Sequence, residues 1–154
     1  MSGEATAERG FTLIELMLVI AVIGILAAIA VPMLVDARKG GNEASAKAGL
    51  RTIFNAQAQF RERDKDNDGQ PNYAATLMEL HVHGALVDSE LAQGTRSGYV
   101  FEILPGANMF TWSGRASPQV PGKSGDNFFF VDESGVIRYS TSAGVGPHSP
   151  PVGN

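Results

Sequence analysis

From Phe11 to Val35 the chain runs strongly apolar, with Glu15 its single charged residue. Wound as a helix rising about 1.5 Å per residue, about 25 such residues reach about 37 Å, enough to cross a bilayer core of about 30 Å with some tilt. A soluble core helix rarely needs so long a stretch. That surface has to stay out of water, and every other feature of the chain is read against this requirement.

Ten small and polar residues, MSGEATAERG, precede the run. What remains of the 154 residues after it has room for one globular head. A formal net charge of -4 and a pI near 5.3 leave no basic stripe of the kind that neutralises phosphates, so nucleic acid is not an expected partner. With no cysteine there is neither a disulfide framework nor a Cys-based metal site or nucleophile. The head is therefore held by packing, helped by a metal ion or by neighbours in an assembly.

Past Val35 the composition changes. Asp36, Arg38 and Lys39 lead to Gly40-Gly41, and an amphipathic helical pattern follows from Asn42 to Arg63. At 100° per residue Ala46, Leu50, Ile53, Phe54, Ala58 and Phe60 share one arc, which predicts a helix resting one face on a sheet. The polar turn Asp64 to Pro71 ends it, and Tyr73 to His83 reads as a short helix closed by Gly84. Strands are expected at Tyr99 to Leu104, Met109 to Ser113, Phe128 to Asp132 and Val136 to Ser140, with Gly135 in the last hairpin loop. Ala116 to Asp126 reads as a surface loop, and residues 143–154 as a flexible tail.

Gly10-Phe11-Thr12-Leu13-Ile14-Glu15, continued by LMLVIAVIGILAAIAVP, resembles the N-terminus of type IV pilins and type II secretion pseudopilins. In that family a dedicated peptidase cuts after the glycine and methylates the new first residue. The resemblance therefore implies a leader at 1–10, cleavage between Gly10 and Phe11, N-methylation of Phe11, and a transmembrane and filament-core helix at 11–35. It also places the family's acidic assembly residue on Glu15, its helix glycine on Gly24 and its helix proline on Pro32.

Independently of the family, a carboxylate inside a membrane segment is costly and needs a partner unless it lies at the wet headgroup level. Cleavage before Phe11 creates an amine one helical turn from Glu15, and the family arrangement pairs the carboxylate with that amine on a neighbouring subunit. Pro32 cannot donate a backbone hydrogen bond, and Gly24 weakens its turn by about 1 kcal/mol relative to Ala. Between them lies the expected place for a kink or local melting. A rival reading is an ordinary signal peptide cut after Ala28-Ile29-Ala30, which the length of the run and Glu15 argue against.

In the head, Asp64, Asp66 and Asp68 followed by Gly69 match the first half of a calcium loop, with Gln70 offering a carbonyl. Position twelve of a full loop would need a bidentate Glu and is Ala75, so the turn is a candidate calcium site set against a plain solvated acidic turn. Tyr99, Phe101, Phe110, Trp112, Phe128, Phe129, Phe130 and Tyr139, at strand spacing, are expected in the core. No phosphate-binding loop, nucleophile elbow or HExxH occurs, and an enzyme is not expected.

The expected fold is α+β: a long N-terminal helix whose second half, within a head of residues 36–142, packs on an antiparallel sheet of three or four strands. Gly40-Gly41 is where that helix is expected to kink if it does so. The resemblance implies a single-pass subunit of the bacterial inner membrane, its head in the periplasm or outside the cell. It further implies processing by prepilin peptidase and assembly, by an ATPase and a membrane platform protein, into a pilus or secretion pseudopilus. The lack of paired cysteines inclines the reading to a pseudopilin. The alternatives are a membrane-anchored extracytoplasmic binding or sensing module, with calcium as a candidate cofactor, and a DNA-uptake minor pilin, which the acidity opposes.

Overall fold

The computed structural model describes residues 11–67, 69–108 and 110–153, with a division into two compact units between Asp36 and Ala37. One helix, α1 (Leu13–Glu62), runs through 50 residues without a break. Gly40 and Gly41 are helical, and nothing lies within 4 Å of a Cβ placed on either. Their propensity cost, about 2 kcal/mol together, is offset by fastenings on both sides of the pair. Lys39 pairs with Asp126 at 3.3 Å, and Asn42 Nδ2 donates to the Ser124 carbonyl at 2.8 Å. The Glu43 carboxylate accepts from the backbone N–H groups of Asp126 and Asn127 and from Asn127 Nδ2. A loop of the head thus splints the helix across this glycine pair.

Within the head, α1 buries Ala46, Gly49, Leu50, Ile53, Ala56, Gln57 and Phe60. These face a five-stranded antiparallel meander in chain order: β1 (Thr95–Arg96), β2 (Tyr99–Pro105), β3 (Trp112–Pro118), β4 (Phe128–Asp132) and β5 (Arg138–Ser140). Alternation along β3 buries Trp112, Gly114, Ala116 and Pro118. Register aligns Phe101 with Ala116 and Ala116 with Phe129, a buried cross-strand row. The small central residue lets two rings flank it. Gly49 matters for the same approach: a Cβ there would stand 2.7 Å from Phe101 Cε1.

Two short helices bridge α1 to the sheet. In α2 (Leu77–Val82), the Thr76 side chain accepts from Glu79 N–H. In α3 (Ser89–Ala92), Asp88 accepts from Leu91 N–H. Both are ordinary N-caps, with an oxygen satisfying an orphan donor of the first turn.

Several boundaries differ from the sequence expectations. The second helix starts at Leu77 rather than Tyr73, because Ala74 is tied through its backbone to Gln57 and Thr76 supplies the cap. Strand β3 begins at Trp112 and continues through Ala116 to Pro118, so the loop starts later than expected, while Met109 lies outside the described residues. Phe110 and Tyr139, expected in the core, are exposed, whereas Tyr99, Phe101, Trp112, Phe129 and Phe130 are buried. The segment expected as a flexible tail lies against the sheet edge. Val145 is buried, Tyr139 N–H donates to the Pro150 carbonyl, and Val152 N–H donates to the Ile137 carbonyl. Those bonds satisfy edge groups of β5 that would otherwise be open, a role that its Pro- and Gly-rich composition conceals.

Candidate assembly interface

Every large apolar side chain from Phe11 to Val35 is exposed, from 41% at Val35 to 83% at Phe11. Soluble monomers rarely display contiguous apolar patches beyond a few hundred Å². The helix is long and apolar enough to cross a membrane, and its surface calls for lipid or other helices as its environment.

At the tip, Thr12 and Glu15 form a reciprocal cap. Glu15 Oε2 accepts from Thr12 N–H at 2.9 Å and from Thr12 Oγ1 at 2.7 Å, while Glu15 N–H donates to Thr12 Oγ1 at 3.3 Å. This is the capping box, two orphan donors of the helix start satisfied by each other's side chains. The carboxylate is held at the N-terminal end of α1, where the helix dipole favours negative charge. Its other oxygen, Oε1, has no partner among the described residues. Sequence reasoning overlooked Thr12, although Thr12-Leu13-Ile14-Glu15 is the T-x-x-E signal for such a cap.

Gly24 and Pro32 both lie inside α1, which is unbroken at each. Open space surrounds Gly24, and Pro32 leaves the carbonyl four residues earlier without its helical donor. Phe11 stands just before the helix. Gly10 and the rest of the leader lie outside the described residues.

The acidic turn follows α1. Asp64 and Asn67 take positive φ, 45° and 57°, and Asp64 Oδ2 accepts from Gly69 N–H at 3.0 Å. Asp64 Oδ1 and Asp66 Oδ1 are buried without a donor among the described residues. Asp68 lies outside the described residues, and Gln70 follows in an exposed bend. Among the described residues no three carboxylate or imidazole groups converge as a metal site.

One titratable group of the head is strongly perturbed. Burial pushes the Tyr99 phenol well above its ordinary range, and the nearby carboxylates of Glu43 and Asp126 push it further. Its hydroxyl donates to the Asn127 carbonyl at 2.8 Å, next to the loop that splints α1.

Comparison with known proteins bears on the helix and on the head. Residues 6–31 match the family model described as the prokaryotic N-terminal methylation motif. A type IV major pilin of Myxococcus xanthus is 48% identical over 62 residues, 40% of this chain and 28% of that protein, so the chain spans little more than a quarter of that relative. Two others extend into the head. The type IV wide pilus major component of Thermus thermophilus is 29% identical over 136 residues, 87% of this chain and 89% of that one. The type IV major fimbrial protein of Dichelobacter nodosus is 35% identical over 123 residues, 63% of this chain and 76% of that one. No solved structure matches significantly.

Proposed function

This chain belongs to the type IV pilin family, and on that premise we propose that it is a structural subunit of a type IV pilus. Prepilin peptidase cuts between Gly10 and Phe11 and methylates the Phe11 amine. The helix of residues 11–35 waits in the inner membrane with its head on the far side from the cytoplasm. An assembly ATPase and its platform protein then draw it into a filament, where other copies of the same helix replace lipid around it.

The observation that carries this reading is the uncovered apolar length of α1 with one carboxylate near its tip. Lipid tails and neighbouring apolar helices both exclude water, so the transfer opposes no large hydrophobic term and is driven by packing and polar pairing. Glu15 supplies the pairing. Held by Thr12, it keeps one oxygen without a partner among the described residues, and the amine that cleavage exposes at Phe11 of a neighbouring subunit is a complementary charge in a medium of low dielectric. The helix then has a preferred axial register.

The relatives named above are pilus and fimbrial subunits, and this favours a surface pilus over a secretion pseudopilus. The test is Glu15→Ala in the native cells, with filaments imaged and sheared protein quantified. Filaments should disappear while the membrane pool of subunit persists. Wild-type quantities of filament from Glu15→Ala would sink the proposal and return the membrane-anchored binding module as the better account.

A further inference from the structure

We propose that Arg51, supported by Lys47, on the head of one copy docks into an acidic groove with an aromatic floor on the head of the next. The inference rests on the filament reading and adds a partner surface to it.

The groove, about 450 Å³, opens between the turn after α1, the helix α2 and the loop joining β2 to β3. Phe60, Tyr73 and Trp112 contribute apolar and aromatic lining, and Asp66 and Glu79 contribute two carboxylates. Among the described residues no lysine or arginine lines it. Arg61 stacks 5.1 Å from the Tyr73 ring centre and donates to the Tyr73 hydroxyl without lining the groove, and Lys65 lies beside Gly84. Glu79 uses Oε2 to accept from Ala75 N–H at 2.7 Å, and its Oε1 has no partner among the described residues. Carboxylates beside aromatic faces suit a cation, above all a planar guanidinium that pairs and stacks at once.

The complementary group is on the same chain. Lys47 and Arg51 are four residues apart on α1, a spacing that puts like charges side by side, where they repel. Neither has an acceptor among the described residues. Of the other cations of the head, Lys39 is paired with Asp126, Arg96 with Asp88, Arg61 with the Pro71 carbonyl and Tyr73, and Arg138 with the Ser149 carbonyl; Lys47 and Arg51 differ from the remaining unpartnered cations in standing together, on one side of α1 beside two open hollows. Two shallow hollows of about 390 and 430 Å³ flank the pair, each bordered by Val152.

Placement selects a second copy as the occupant. Arg51 and Phe60 are nine residues apart on one helix, roughly 900° of rotation, and so point to opposite faces with an axial offset of about 14 Å. Copies lying parallel and displaced along that axis present the cation of one to the groove of the next. Each copy keeps one unused partner of each kind, and a heterologous contact of this sort propagates as an open filament instead of closing as a dimer. Charge complementarity also sets which neighbour is accepted.

Because the chain has no cysteine, an Arg51→Cys/Glu79→Cys double variant reports the contact directly. Intact filaments treated with a short bismaleimide should give a ladder of covalent multimers, while either single variant stays monomeric. Assembly gives the second readout. Arg51→Glu and Glu79→Lys should each lower sheared filament by about tenfold, and the exchanged pair should recover most of it. Glu79 also accepts from Ala75 N–H ahead of α2, so Glu79→Gln keeps an acceptor, removes the charge and should lower assembly with the head's thermal midpoint unchanged. Filaments of the double-cysteine variant that give no ladder, or single reversals that assemble normally, overturn the contact and leave the pilus reading standing. Wild-type cells that make no filaments overturn both.

Discussion

Gln57 and Ala74 bond each other in both directions: Gln57 Nε2 donates to the Ala74 carbonyl and Gln57 Oε1 accepts from Ala74 N–H, both at 2.9 Å. The glutamine is 0% exposed in the middle of an apolar helix face, so the pair pins the segment before α2 to α1. Replacing Gln57 with Leu leaves a buried donor and a buried acceptor unpaired, and should cost about 2 to 4 kcal/mol. Denaturant unfolding of the full chain in detergent, followed by the fluorescence of the single tryptophan, Trp112, measures it.

Two glycines of α1 should respond in opposite directions to the same substitution. Gly40 faces open space, and Gly40→Ala should stabilise the head by about 0.5 to 1 kcal/mol through helix propensity. Gly49→Ala gains the same propensity but drives a methyl to within 2.7 Å of the buried Phe101 ring. Overpacking of about 1 to 3 kcal/mol should leave it net destabilised. Parallel unfolding curves decide both signs.

Tyr99 predicts an alkaline limit to stability. Its folded pKa is raised above the ordinary 10.0, so the unfolded chain releases this proton at a pH where the folded one retains it. The stabilising contribution is fully present below pH 10.0 and is lost as pH rises through the folded value, by up to about 1.4 kcal/mol per pH unit. Unfolding midpoints between about pH 9 and about pH 11 should fall in the wild type, and this slope should be shallower in Tyr99→Phe.

The cap at the helix tip gives a local prediction. Thr12→Val removes the hydroxyl that Glu15 Oε2 and Glu15 N–H both use. Amide exchange in the first turn of α1, measured in micelles, should accelerate by about fivefold. Unchanged exchange would mean that the cap contributes nothing to the helix start.

How much of this was legible beforehand follows the range of each interaction. The apolar run, the amphipathic face around Leu50 and Ile53, and the strands at Tyr99 and Phe128 rest on local periodicity and were readable. Thr12 was readable too, but the family motif drew attention to Glu15 alone. The splint at Lys39, Asn42 and Glu43 joins residues more than eighty positions apart, and no periodicity announces such pairs. Phe110 misled for a related reason. An aromatic at strand spacing reads as core, but here the chain is still turning between β2 and β3. The docked C-terminal segment shows the same limit from the other side, since Pro and Gly mark absence of regular structure and say nothing of whether the backbone finds partners.

The most direct measurement of the central claim is the intact mass and N-terminal sequence of the subunit in filaments sheared from the native cells. A chain beginning at Phe11 and carrying one extra methyl group on its amine is the expected result, with Glu15 poised one turn away from that amine. A chain that retains its first ten residues, or one that begins at Val31, would contradict the account.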